Sequence, residues 1–247
     1  MALWDQFITE QDREVYAKSG YGAKGGFGER PAILIIDVNY GWVGETAEPV
    51  LQSIEKYPRS CGLEGWVAVH KIQRLLEVAR TQGVPVFYTT SNETRNRLTP
   101  DGEHKRSRII SSEQRKRSQQ IVEDIAPMKG EVVVYKHAPS AFFSTPLSTY
   151  LTQLQVDTVL ACGGTTSGCV RASVTDANSL GYKVSVIEEC TFDRGQASHA
   201  INLFDMDQKY GDVVSLDSIT QYLDTLAEGL FPSVRRNSAT NKAGVPA

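Results

Sequence analysis

The sequence has no C-x-x-C pair, and its four cysteines (Cys61, Cys162, Cys169, Cys190) are scattered through 247 residues. Such spacing builds neither a zinc ribbon, nor a thioredoxin motif, nor a disulfide framework. The glycine turn between Cys162 and Cys169 carries no G-x-G-x-x-G and no Gly-Lys-Ser/Thr, so a phosphate loop there is poorly supported. Long apolar runs are missing too: the longest, Ala32–Ile36, is far too short to span a bilayer. The opening MALWDQFITEQDRE lacks a basic n-region and an apolar h-region, so no signal peptide is expected. There is no surplus of positive charge. The formal net charge is −3, which argues against nucleic acid or an anionic membrane as the main partner. These absences point to a cytoplasmic globular protein without a cofactor, a nucleic-acid partner or a membrane partner.

The residues that remain are those of an α/β protein. Hydrophobic residues make up 40% of the chain and charged ones 22%, enough for one large domain with a substantial core. The most informative stretch runs from Thr158 to Gly181. Thr158–Cys162 is apolar and β-prone, as a buried parallel strand should be. Gly163 and Gly164 break it, and the small residues Thr165, Thr166, Ser167 and Gly168 lead to Cys169. From Val170 the period changes to that of a helix, with Val170, Val174, Ala177 and Leu180 on one face and Gly181 as C-cap. This places Cys169 in the first turn of a helix, where unpaired N–H groups and the helix dipole favour a thiolate. The same N–H groups can cradle an oxyanion. A small buried core cysteine is the competing reading.

Taken in order, residues 1–30 read as an arm. A capping box at Thr9–Asp12 opens a helix near Glu10–Lys18, and SGYGAKGGFGER follows, with Tyr21 and Phe27 available to pin it. Pro31–Val38 is a continuous apolar strand with Asp37 near its end; Asp there suits either a ligand edge or a helix cap. Asn39–Arg59 reads as polar loop. A helix near Gly65–Gln82 should bury Val67, Ile72, Leu75, Leu76 and Ala79, and Gly83 ends it. Val84–Thr90 is a strand. Residues 91–118 are rich in Arg and Lys, consistent with a solvated excursion, an anion-binding patch, a lid or a subunit contact. Glu131–Tyr135 is a strand with Lys136 at its end, a surface lysine or a site residue. A helix near Pro146–Leu154 precedes the central stretch. Tyr182–Glu188 is a strand leading into a loop with Arg194; a helix near Ala197–Lys209, a strand at Asp212–Leu216 and a helix at Ser218–Leu230 complete the body. The organisation expected is an arm (1–30), one large domain (31–230) and a frayed tail (231–247). Strands alternating with helices mean βαβ units. The expected fold is a three-layer α/β/α arrangement around a mainly parallel six-stranded sheet.

Asp37, Lys136 and Cys169 each fall at or just beyond the carboxyl end of an expected parallel strand, where open sheets bind ligands. A carboxylate to accept the thiol proton and an ammonium to hold the thiolate are recognised means of activating a nucleophile. With AILIID ending in Asp37, VVVYK ending in Lys136 followed by SAFFSTPL, and GGTTSGCV around Cys169, the chain resembles the isochorismatase-like cysteine hydrolases from about Pro31 to Leu223. The GYG…GFGERPAILIID lead-in looks most like the N-carbamoylsarcosine amidase branch, with maleamate amidases near it.

The resemblance implies a Rossmann-like fold, Asp37 as base, Lys136 as charge stabiliser and Cys169 as nucleophile. It also implies a cis peptide at Gly164–Thr165 and an oxyanion hole made by the N–H groups of Thr165 and Cys169. Nicotinamidases of this family carry an Asp-x-His pair for a metal; no such pair is found here, so no metal is expected. The implied reaction is hydrolysis of a small amide through a thioester, in a homo-oligomer. Thr166 and Arg194 are the candidate substrate contacts, Arg194 offering a planar fork for a carboxylate if it is not simply a surface arginine. Two other readings stay open: a metabolite-binding member without activity, and a redox enzyme pairing Cys169 with Cys162.

Overall fold

The computed structural model of the chain describes residues 2–91 and 111–234. Five long-range carboxylate and hydroxyl contacts fasten its first segment. After α1 (Glu10–Lys18) the glycine-rich chain runs along the body. There the N–H groups of Gly25 and Gly26 donate to the Asp212 carboxylate, that of Gly28 to the Thr158 hydroxyl, and those of Glu29 and Arg30 to Asp157. Phe27 stacks on Tyr222 with ring centres 4.3 Å apart. Tyr21 stays half exposed.

The sheet begins with β1 (Pro31–Ile36), buried at every residue. Its continuous apolar run is what a strand covered on both faces requires. The short helices α2 (Tyr40–Val43) and α3 (Val50–Lys56) follow, then the long α4 (Leu63–Gln82). Next come β2 (Val86–Thr90), α5 (Ser112–Ser118), β3 (Val132–Tyr135), α6 (Leu147–Gln153) and β4 (Thr158–Gly164). A π-helical turn, Thr166–Val170, passes directly into α7 (Arg171–Ser179). The last elements are β5 (Lys183–Phe192), α8 (Gln196–Lys209), β6 (Asp212–Val214) and α9 (Leu216–Asp224).

All six strands are parallel, in the order β3-β2-β1-β4-β5-β6. Residues on one face, including Ile33, Ile35 and Tyr88, pack with α4 and α9; Leu34, Ile36 and Phe87 on the other pack with α6, α7 and α8. The result is three layers. The order reverses direction between β1 and β4, and in such sheets the crevice outside the carboxyl ends of the two strands at the switch is where ligands bind.

Several sequence expectations are corrected. Residues 39–59 are not all loop: α2 and α3 bury Tyr40, Val43 and Ser53, but spans of 4 and 7 residues are too short to show a period. Val67 is 48% exposed, because the buried stripe of α4 runs through Trp66, Val69, Ile72, Leu76 and Ala79 and leaves Val67 off its edge. Leu180 is 55% exposed, since α7 ends at Ser179. Strand β5 continues to Phe192: after a register shift its end pairs with Gly163 and Gly164. Helix α9 stops at Asp224. Of the basic residues in 91–118, Arg95, Arg97, Lys105, Arg106 and Arg108 lie outside the described residues. Arg117 is anchored: it pairs with Glu45 and lies 3.6 Å over the Tyr40 ring.

Candidate active site

Side chains from three strand ends meet at the switch point. Strand alternation would carry Asp37 to the same face as Ile33 and Ile35. Instead its φ of 51° turns it towards the opposite layer, where Thr89 follows Phe87. Such a backbone is uncommon for a residue with a Cβ and is retained where surroundings over-determine it. The surroundings are visible: the Thr89 hydroxyl donates to Asp37 Oδ1 at 2.7 Å, and the Asp37 N–H donates back to that hydroxyl at 3.1 Å.

Lys136 follows β3, and its N–H continues the ladder to the Thr90 carbonyl. Its Nζ lies 2.7 Å from Asp37 Oδ2, 3.4 Å from Cys169 Sγ and 3.1 Å from the Ala138 carbonyl. Cys169 sits in the π-helical turn, and its carbonyl accepts from Ser173, whose hydroxyl in turn accepts from the Ala141 N–H. That chain of bonds ties the cysteine's turn to the segment after Lys136. Exposures of 4%, 6% and 9% for Asp37, Lys136 and Cys169 put all three out of bulk water.

Burial changes the acid–base reading of the thiol. The expectation of easy ionisation at a helix start is overturned: desolvation, joined by the negative charge of Asp37, pushes the Cys169 thiol up to about 12, and Lys136 offsets this only in part. The resting sulfur therefore carries its proton and needs a base in contact. Burial works against the Lys136 ammonium, but the Asp37 carboxylate beside it outweighs this and raises its pKa, so the lysine stays charged.

The other expected positions are distributed around this centre. The Gly164–Thr165 peptide is cis. The Thr165 carbonyl accepts from the N–H groups of Gly168 and Val170, closing the turn. Thr166 is fully buried, with its hydroxyl 2.7 Å from His199 Nδ1, so it faces the protein interior. Arg194 is 39% exposed; it donates to the Arg59 carbonyl at 2.7 Å and lies 5.5 Å from the Trp42 ring centre. Its neighbour Asp193 accepts from both the N–H and the hydroxyl of Ser167, which brings the Arg194 loop against the cysteine's turn. Thr89 and Asp193 went unnoticed in the sequence, and His199 was weighed there only as a metal ligand and set aside. Only Thr89 carried a signal, as a hydroxyl at the carboxyl end of an otherwise apolar strand.

Cys162 lies on the α4 side of the sheet and Cys169 on the other. A disulfide between them would have to cross the sheet, which disfavours the redox reading. Among the described residues, no three His, Cys, Asp or Glu side chains converge as a metal site requires.

A doubly wound α/β sheet with a thiol, a carboxylate and an ammonium converging at its switch point defines a class, the cysteine hydrolases built on open parallel sheets. The Isochorismatase domain model matches residues 31–218. The chain belongs to that family. It is 38% identical over 226 residues to the N-carbamoylsarcosine amidase of Arthrobacter sp., covering 89% of this chain and 81% of that protein. It is 35% identical over 209 residues to the maleamate amidohydrolase of Pseudomonas putida, covering 84% and 93%. Among solved structures, an isochorismatase family protein from Desulfovibrio vulgaris superposes with a TM-score of 0.63 at 25% identity, covering 80% of this chain and all of that one.

Proposed function

We propose that the protein is a cysteine amidohydrolase that releases ammonia from a small amide or N-carbamoyl compound bearing a carboxylate. The observation that carries this reading is the contact of one buried lysine with both a buried carboxylate and a buried sulfur. The two amidase relatives support the reaction type.

In this mechanism Asp37 takes the proton of the Cys169 thiol while Lys136 steadies the sulfur's developing charge. The thiolate attacks the carbonyl carbon, and the resulting oxyanion rests on the N–H groups of Thr165 and Cys169. Collapse breaks the C–N bond, the proton on Asp37 goes to the leaving nitrogen, and ammonia departs. Water, giving its proton to Asp37, then attacks the acyl- or carbamoyl-thioester; the C–S bond breaks and that proton returns to Cys169. Because burial holds the thiol's proton on, the mechanism places a base beside the sulfur to take it.

Residues 31–230 form the catalytic unit in this reading, with 1–30 as an arm. A homo-oligomer in the cytoplasm is the expected context. Half-exposed Tyr135 and two-thirds-exposed Phe143, flanking the Lys136 segment, support an oligomer by offering apolar surface to a partner. No helix among the described residues is long and apolar enough to cross a membrane.

The direct test is ammonia release across N-carbamoyl amino acids, maleamate, ureas and nicotinamide, with Cys169→Ser as control. Turnover of an acidic member and none by the folded serine variant is the expected result. No ammonia from any of them, or a serine variant near full activity, would remove the reading.

A further inference from the structure

His199 is buried at 8% exposure in the first turn of α8, yet no proton transfer in the mechanism uses it. Its Nδ1 lies 2.7 Å from the Thr166 hydroxyl. One residue further along the turn, buried Asp193 accepts from the Ser167 N–H at 2.8 Å and the Ser167 hydroxyl at 2.6 Å. Two consecutive residues of the turn are thus held by polar side chains, one from the loop after β5 and one from the first turn of α8. Thr165, just before them, and Cys169, two residues after Ser167, carry the two N–H groups assigned to the oxyanion. A backbone donor can stabilise charge only where it points, and a turn free to rotate by tens of degrees would lose that aim.

Building on the amidohydrolase reading, we propose that His199 is a positioning residue for the oxyanion-hole turn, acting through the hydroxyl of Thr166. The geometry gives a reason for a histidine at this place. The hydroxyl of a fully buried threonine needs a partner. An imidazole bonded at Nδ1 supplies one from a rigid ring, while burial lowers its pKa and keeps it neutral, with Asp193 pulling the other way. An apolar side chain of equal size would leave the hydroxyl to seek a backbone partner inside the turn itself. Thr166, expected from sequence to touch substrate, then acts from behind the turn.

The test compares wild type, His199→Leu, His199→Asn, Thr166→Val, Thr166→Ser and the Leu/Val double variant. Each is assayed for ammonia release from N-carbamoylsarcosine and maleamate, and for alkylation of Cys169 by iodoacetamide, which passes through no oxyanion. His199→Leu and Thr166→Val should each lower kcat by about tenfold or more with KM changed by less than about twofold, because the lost aim matters only in the transition state. The double variant should lose no more than either single one, as members of one contact do. Alkylation should stay within about twofold of wild type. His199→Asn, whose amide reaches the place of Nδ1, and Thr166→Ser should recover most of the activity.

Unchanged kcat in a folded His199→Leu, additive losses, failure of both conservative variants, or alkylation falling in parallel with kcat would each overturn the proposal. If His199→Leu does not fold, Thr166→Val against Thr166→Ser carries the same comparison. A wild type that releases no ammonia while Cys169 still alkylates would instead overturn the amidohydrolase reading, and this inference with it.

Discussion

At Cys169 a single sulfur is subject to opposing demands. Burial and the Asp37 carboxylate hold its proton on, while Lys136 favours its loss. Replacing Asp37 by Asn removes a negative charge from beside the thiol, so the thiolate becomes easier to form. The same change removes the base. Asp37→Asn should therefore shift the pH midpoint of Cys169 alkylation downwards while abolishing amide turnover. An upward shift, or retained turnover, would break the assignment of Asp37. Arg194 offers a second residue-level prediction. Arg194→Lys should lower kcat/KM for an acidic substrate by about tenfold, or ~1.4 kcal/mol, and spare a neutral amide analogue, because only the planar fork matches a carboxylate with two bonds. Equal losses on both would make the arginine a brace for the Arg59 carbonyl and the Trp42 ring. Asp37 and Lys136 were legible as candidates because each closes an apolar β-prone run, and Cys169 because it follows the glycine turn after one. Sequence reading could not find their supports. The Thr89 bond to Asp37 exists only through the pairing of β1 with β2, and the His199 bond to Thr166 joins residues 33 apart.

The elements themselves were legible wherever a period had room to repeat. The six strands and the long helices α4 and α8 stand close to their expected places, since a buried parallel strand and an amphipathic helix write unmistakable patterns. What escaped was set by neighbours: α2 and α3, too short for a period, and the last four residues of β5, paired after a shift. The glycine elbow shows why the β4–turn–α7 unit tolerates few alternatives. Gly163 has φ +103°, and a Cβ there would lie 2.1 Å from the Ile36 carbonyl oxygen; one on Gly164 would lie 2.3 Å from the Phe192 ring. Gly163→Ala must push apart the two central strands at their carboxyl ends. We expect a cost of about 3 kcal/mol or more, read as a drop of roughly 6–12 °C in Tm for a domain of this size. A melting curve within a degree or two of wild type would contradict the close approach.

For the whole molecule, pH acts on stability through Glu45, which Arg117 and Tyr57 hold. Burial works to raise the pKa of Glu45, but Arg117 and the Tyr57 hydroxyl outweigh it and hold the carboxyl down at about 2. A group whose folded-state pKa is depressed binds its proton more weakly than in the unfolded chain. Its contribution is complete above the ordinary value of 4.5 and is lost as pH falls from there towards 2. Glu45→Gln should therefore be less stable than wild type at neutral pH, with the gap closing steadily below about pH 4.5. Urea unfolding at a series of pH values checks this; a gap independent of pH would mean that Glu45 acts through packing alone.

The reversal of strand order between β1 and β4 has a consequence for how the protein can be taken apart. Asp37 and Lys136 follow strands of the β1–β3 side of the sheet, and Cys169 follows β4 on the other side. The two halves of the sheet meet along one seam, the β1–β4 ladder from Pro31↔Thr158 to Ile36↔Gly163. Neither half holds a complete site. Co-expressed fragments divided near residue 155 would regain turnover only by re-forming that ladder, which makes ammonia release a direct gauge of fragment complementation across the middle of the sheet.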